Sequence, residues 1–485
     1  MSIIETIRKE YGVAGDTDSY KFSHAPQFVP GATAMMSYIE SRGGQFDKVV
    51  WFGLQMIIKE YLLEPLTEEQ VRKTIAFQRA HLGIEIPQLE EALYTIVREY
   101  DGKLPIRIRS IPEGKVVPVK QVLATIETTV DDPRVFPIVS YLETKLMRVW
   151  SPTTVATTSY HIKEIIYRGL LESADDPDAE IGFKLHDFGA RGVSSLETAA
   201  FAGAAHLVNF LGSDTTAGIM AANFAYNEAM AGFSIPATEH STTISHGPDG
   251  EVRLVEQMFD NFAKPGAIFA TVADSYDILN FVDNITSQFK QRLIDSGATW
   301  VIRPDSGDPV QTPVEVVCRL DRVFGHTVNS KGYRVLNNVR VIQGDGIDMF
   351  DVQDIVKELL RRGYSISNIA FGMGGGLLQK NDRDTLRFAM KACAIKVDGV
   401  WRDVYKEPAV YDQDWNRMDY DVSYKSSKAG RLVLTKNDDG EYETMTEKKA
   451  TCLGRPNLLE VVYENGELVR NYTFAQVRQN AKLVL

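Results

Sequence analysis

Six apolar runs in the middle of this chain each stop at residues suited to anion chemistry. They carry Arg191 in Gly189-Ala190-Arg191-Gly192, His240 in Thr238-Glu239-His240-Ser241, Asp274, the pair Arg303 and Asp305, Gly344-Asp345-Gly346, and the loop Gly372-Met373-Gly374-Gly375-Gly376. Arginines and backbone N–H groups hold phosphate oxygens, while carboxylates meet hydroxyls or a metal. The run Trp300-Val301-Ile302 shows the pattern best. It reads as a buried strand, Pro304 forbids its continuation, and Ser306-Gly307-Asp308 turns the chain. One such cluster is explained as well by a strand-ending turn with a solvated ion pair. Six together argue for one anion-binding face, because parallel sheets and barrels place their chemistry at the carboxyl ends of their strands. The glycine loop admits a tight turn or close backbone approach to a phosphate. It lacks the Lys-Ser/Thr ending of a P-loop and the spacing of a dinucleotide fingerprint.

The elements that position these residues change along the chain. Residues 1–150 read as α+β, with strands at 34–39, 104–110 and 122–129, helices at 51–63 and 68–82, and a polar turn at 15–21. From 151 to 390 apolar runs at 181–188, 234–237, 268–273, 300–303, 339–343 and 368–371 alternate with helical stretches such as 194–209. That alternation predicts βα units and a barrel-like parallel sheet. Residues 391–485 read as hairpins, with turns at Asp398-Gly399, Asn437–Gly440 and Asn465-Gly466. The expected fold class is α/β: a (β/α) barrel-like central domain, with the two end segments combining into a flanking β-rich α+β domain.

Composition bounds the partners. The chain has 485 residues, 44% hydrophobic and 24% charged, with a net charge of −12. An acidic balance argues against nucleic acid, and anions would have to be met by locally concentrated Arg and Lys. Three cysteines, Cys318, Cys393 and Cys452, lie far apart and suit a reducing cytosol, so a cytoplasmic location is expected. The first residues lack an apolar core long enough for a signal peptide, and no stretch approaches a membrane span of about 20 apolar residues.

The stretches HDFGARGVSS (186–195), EHST (239–242), IRPDSG (302–307), VIQGDG (341–346) and FGMGGGLLQK (371–380), with TDSYK at 17–21, resemble the nicotinamide phosphoribosyltransferase family of type II phosphoribosyltransferases. The resemblance runs in order over nearly the whole chain. It implies a homodimer with sites at the interface, joining nicotinamide to 5-phosphoribosyl 1-pyrophosphate; nicotinate transfer on the same architecture, and a non-catalytic binding protein, are the alternatives. Phe188 and the partner's Tyr20 would stack on the pyridine ring, with Asp18 and Ser234 also among the substrate-binding residues. Arg303 would hold the carboxamide oxygen and Asp214 would accept its N–H, although Asp214 in a Gly-Ser-Asp-Thr turn serves equally as a helix cap. Arg191 and His240 would meet pyrophosphate, joined by Arg42, Lys391 and Lys406. Gly344 and Asp345 would meet ribose hydroxyls, and Gly374, Gly375 and Arg383 the 5-phosphate. Magnesium would ride mainly on the substrate's pyrophosphate, with Asp274 and Asp305 meeting it through water or meeting ribose. ATP would phosphorylate His240, oriented by Asp274 rather than by Glu239. The acidic segment 408–424 looks longer than its family counterpart, which leaves Lys425 and Lys428 unassigned.

Overall fold

The computed structural model describes residues 2–411, 415, 417, 418 and 426–483. The body of the acidic segment and Lys425 therefore lie outside the described residues. The chain divides into two compact units, one made of Met1–Thr154 with Asp382–Ala481, the other built on Val155–Asn381.

The first unit is organised by a seven-stranded antiparallel sheet. Its order is Val400–Asp403, Phe388–Val397, Ala32–Ser41, Val122–Thr128, Ile106–Ser110, Glu460–Glu464 and Glu467–Leu468. Strands from both ends of the chain thus share one sheet. Ala32–Ser41 is buried at nearly every position, its polar Ser37, Glu40 and Ser41 included. Two hairpins turn on paired positive φ angles, 50° and 78° at Asp398-Gly399 and 48° and 86° at Asn465-Gly466. These are the left-handed pairs that match strand twist. Helix Glu68–Leu82 opens on a Thr67–Gln70 capping box and stops at Gly83, whose φ is +69°.

The second unit holds six parallel strands. The order is Gly212–Ser213, Leu185–Asp187, Ile369–Met373, Val339–Gln343, Thr299–Arg303 and Ile268–Val272. Phe233 pairs with Gly212 at one edge and Ala237 with Ala270 at the other. The N–H of Ser213 donates to Phe233 O at 3.0 Å and that of Ala270 to Pro236 O at 2.9 Å. The sheet is thereby joined edge to edge into a barrel. A full strand was expected at 234–237; single bridges form instead, since Pro236 offers a carbonyl but no N–H. The strand expected over 181–188 is only Leu185–Asp187, because Asp176 caps and Pro177 starts a short helix, Pro177–Ile181. Gly372 and Met373 belong to the last strand rather than to a loop.

Trp300 anchors this unit. It is fully buried, its indole N–H donates to Thr271 Oγ1 at 2.9 Å, and Phe259 packs edge-on at 5.2 Å. Truncating such a side chain costs about 3–5 kcal/mol. Its strand therefore delivers Arg303 to a fixed point on the carboxyl rim.

Candidate active site

Phe188 leaves the strand Leu185–Asp187 with its N–H donating to Met373 O at 2.8 Å. Its ring lies across two neighbouring strand ends. A Cβ added at Gly372 would stand 2.1 Å from the ring, and one at Gly344 2.8 Å from it. Both positions must therefore be glycine for the ring to lie there. The Arg303 guanidinium carbon is 5.9 Å from the ring centroid, and the His186 ring 5.1 Å. Arg303 Nη2 donates to Asp305 at 3.2 Å, while its buried Nε has no partner among the described residues.

Asp214 stands beside them. Its Oδ1 accepts from His186 Nε2 at 3.0 Å and from the Ser234 hydroxyl. Burial works to raise its pKa. The bonds from His186 and Ser234, with the charges of His186 and Arg303, overcome that and hold it below the usual carboxylate value. The following helix, Thr216–Tyr226, has Thr215 as its N-cap residue without a side-chain cap bond. Asp214 is thus not spent as a helix cap. Beneath it, fully buried Asp187 accepts from Gly189 N–H at 2.7 Å and Ser213 Oγ at 3.4 Å, and burial pushes its pKa up to about 6.

The anion residues gather next to this group. His240 Nε2 meets Asp274 at 3.1 Å and Nδ1 lies 3.6 Å from Asp305. Glu239 is not on a strand; it caps the short helix His240–Ile244, with Arg191 at 3.7 Å. Arg191 is 84% exposed, so its guanidinium is open to a ligand. Asp345 has its pKa raised, first by burial and then by the charges of Asp305 and Asp274. Gly192 packs on the glycine loop, where a Cβ would meet Gly375 N at 2.9 Å, so the Arg191 turn and Gly374-Gly375 lie together. A helix begins at Gly375, and its first N–H groups have no acceptor within it.

Six expected residues belong to the other unit. Tyr20 is 58% exposed, with its ring 5.0 Å from His24. Asp18 accepts from Thr144 Oγ1 at 2.6 Å. Arg42 donates to Glu40 at 2.9 Å, Arg383 to Asp384 at 3.4 Å, and Lys406 is exposed. Burial lowers the Lys391 pKa, Glu143 opposes this, and Arg42, Arg383 and Lys21 lower it further. Three expected phosphate ligands thus share one basic patch with Lys21, whose buried Nζ bonds Glu143 at 2.8 Å. Sequence reading had left His186, Asp187, Glu239 and Lys21 without roles. All four lie inside the quoted motifs; strand pairing gives His186 and Asp187 their partners, while Glu239 meets Arg191 from a helix cap and Lys21 meets Glu143 from a turn.

A parallel barrel with an arginine, a histidine, carboxylates and a glycine loop on its carboxyl rim, linked to a β-rich unit, is the architecture of the type II phosphoribosyltransferases. Two solved structures share the fold. They are nicotinate-nucleotide pyrophosphorylase from Pyrococcus furiosus (TM-score 0.62, 14% identity, covering 99% of this chain and 96% of that one) and human nicotinic acid phosphoribosyltransferase (0.53, 16%, 96% and 92%). Residues 183–429 match the model of the nicotinate phosphoribosyltransferase family, and residues 12–108 match the nicotinamide phosphoribosyltransferase N-terminal domain. The chain is 48% identical to the nicotinamide phosphoribosyltransferase of Xanthomonas campestris pv. campestris over 96% of its own length and 97% of that protein's. It is 28% identical to that of Acinetobacter baylyi, over 95% of each. The chain belongs to the nicotinate phosphoribosyltransferase family, in its nicotinamide phosphoribosyltransferase branch, and is a pentosyltransferase.

Proposed function

We propose that this enzyme joins nicotinamide to 5-phosphoribosyl 1-pyrophosphate, giving nicotinamide mononucleotide and pyrophosphate in NAD salvage. The observation that carries the choice of substrate is Asp214, held ionised beside Arg303 and Phe188. A carboxylate accepts the N–H of a carboxamide and repels the carboxylate of nicotinate. Two such charges about 4 Å apart at an effective dielectric of about 20 repel by roughly 4 kcal/mol, close to a thousandfold. The name of the matched family model makes nicotinate the competing reading. Measuring pyrophosphate release with each substrate decides between them: nicotinamide is preferred, and Asp214→Ser narrows the gap. Full discrimination in that variant overturns the reading.

The chemistry asks for alignment and charge. As pyrophosphate leaves, ribosyl C1 gains oxocarbenium character and the pyridine nitrogen attacks. Phe188 would hold the ring flat and Arg303 its carboxamide oxygen, while Arg191, His240, Arg42, Lys391 and Lys406 would take the anionic leaving group. Gly344 and Asp345 would meet ribose, and Gly374, Gly375 and Arg383 the 5-phosphate. Magnesium would travel on pyrophosphate, its waters meeting Asp274 and Asp305. ATP would transfer its γ-phosphoryl group to His240, releasing ADP. The imidazole between Asp274 and Asp305 supports that role, since the flanking carboxylates hold the ring in one orientation for the incoming phosphoryl group. Exposed Tyr20, with Asp18 on the same turn, is suited to serve a second subunit's site in a homodimer. Among the described residues no helix is long and apolar enough to cross a membrane. The three free cysteines support a cytoplasmic setting.

A further inference from the structure

The turn that carries Asp214 is clamped from both sides. The N–H of Asp214 donates to Asp187 O at 2.9 Å, and that of Ser213 to Phe233 O at 3.0 Å, one residue before Ser234. His186 reaches across from the neighbouring strand, where it pairs with Gly212. A Cβ at Gly212 would stand 2.7 Å from His186 Nδ1, so the missing side chain makes room for this ring. His186 and Ser234 then place both of their hydrogen bonds on the same atom, Asp214 Oδ1. Among the described residues no hydrogen bond reaches Oδ2, although the side chain is about half exposed.

We propose that His186 and Ser234 are positioning residues for substrate choice: by pinning Oδ1 together they present Oδ2 of Asp214 to the carboxamide. The inference rests on the reading of Asp214 given above. A carboxylate on a free side chain spreads over rotamers, and ordering it at the moment of binding costs affinity; one ordered beforehand does not carry that cost. The choice of donors also fits. A serine hydroxyl bonds the carboxylate without cancelling its charge, as a lysine in its place would. The guanidinium of Arg303, whose charge acts on Asp214, donates its hydrogen bond to Asp305 instead. Asp214 is thereby fixed in direction while it keeps the charge that rejects nicotinate.

The test is a set of kinetic cycles on the full-length enzyme, reading the ratio of kcat/KM for nicotinamide to that for nicotinate. Each of Ser234→Ala and His186→Ala is expected to lower the ratio roughly tenfold, about the effect of one hydrogen bond to a charged acceptor, chiefly by raising KM for nicotinamide. Ser234→Thr and His186→Gln keep a donor within reach and retain most of the ratio. If His186→Ala fails to fold, His186→Asn, whose amide is too short to reach, takes its place. KM for 5-phosphoribosyl 1-pyrophosphate stays constant throughout, which a general loosening of the site would not allow. In the Asp214→Ser background, where the acceptor is gone, the same substitutions change the ratio less than about twofold. Effects that add to Asp214→Ser, or single variants that keep the ratio while Asp214→Ser loses it, overturn the positioning role alone. If Asp214→Ser itself keeps the ratio, the reading of Asp214 falls and the positioning role with it.

Discussion

Asp214 and Asp345 both stand where parallel strands of one barrel end, yet their surroundings move their protons in opposite directions. Asp214 is met by a hydroxyl and an imidazole N–H, and its pKa falls despite partial burial. Asp345 looks towards Asp305 and Asp274, and its pKa rises. One rim thus divides its work. A lone carboxylate supplied with donors is a fixed negative charge, suited to choosing between an amide and an acid. Carboxylates facing one another concentrate negative charge, which suits hydroxyls or a hydrated cation.

The sharpest way to break that comparison is to neutralise each side in turn. Asp214→Asn is expected to reduce the preference for nicotinamide by up to roughly a thousandfold. Asp305→Asn should lower kcat/KM for both substrates and leave their ratio within a few fold. Should Asp305→Asn shift the ratio as strongly as Asp214→Asn, the division of labour is wrong. Because the Asp214 pKa is depressed, its charge is present above the ordinary carboxylate range and is lost only as pH falls below it. The wild-type ratio should therefore stay flat between pH 6 and 8, and a ratio that varies across that span would count against it.

A smaller effect is expected at the orienting carboxylate of His240. Asp274→Asn should cut the ATP-stimulated rate by about tenfold to a hundredfold, and should lower the rate without ATP by a smaller factor through its place beside the magnesium waters. A change of similar size, read on stability instead of rate, is expected at Asp187, whose folded pKa of about 6 lies above its ordinary value of 3.8. Its contribution to stability is full below the ordinary value and is lost as pH rises through about 6. Asp187→Asn should therefore gain on the wild type by roughly 3 kcal/mol between pH 4 and 7, read from paired denaturation curves. The smallest expected change is at the exposed Arg191–Glu239 pair. Glu239→Gln should alter pyrophosphate affinity by less than a few fold, as exposed pairs contribute under about 1 kcal/mol.

The strand ends were legible because each carries its own punctuation. Thr299–Arg303 stops at Pro304, and Val339–Gln343 stops at Gly344. The hairpins at Asp398-Gly399 and Asn465-Gly466 could be read for the same reason, since those dipeptides supply the required left-handed pair. Less legible was 181–188, where an apolar run that looked like one strand is part helix, because local capping by Asp176 and Pro177 overrode it. The segment 234–237 reads as a strand, but that it and Phe233 join both edges of the sheet is not visible in the sequence, since the partners Gly212 and Ala270 lie on separate strands.

The sequence by itself determined the alternation of strands and helices, the family, and the residue types on the rim, all of which depend on local patterns or runs of neighbours. Tertiary structure alone decided which residues meet. His186 and Asp214 are 28 residues apart, and they pair because His186 stands opposite Gly212 on adjacent parallel strands. His240 and Asp274 are 34 apart; one opens the short helix after the bridging segment and the other follows the strand Ile268–Val272. In a parallel sheet such neighbours are separated by a whole crossover, so the register that brings them together is set by the packing of the barrel and not by any local signal.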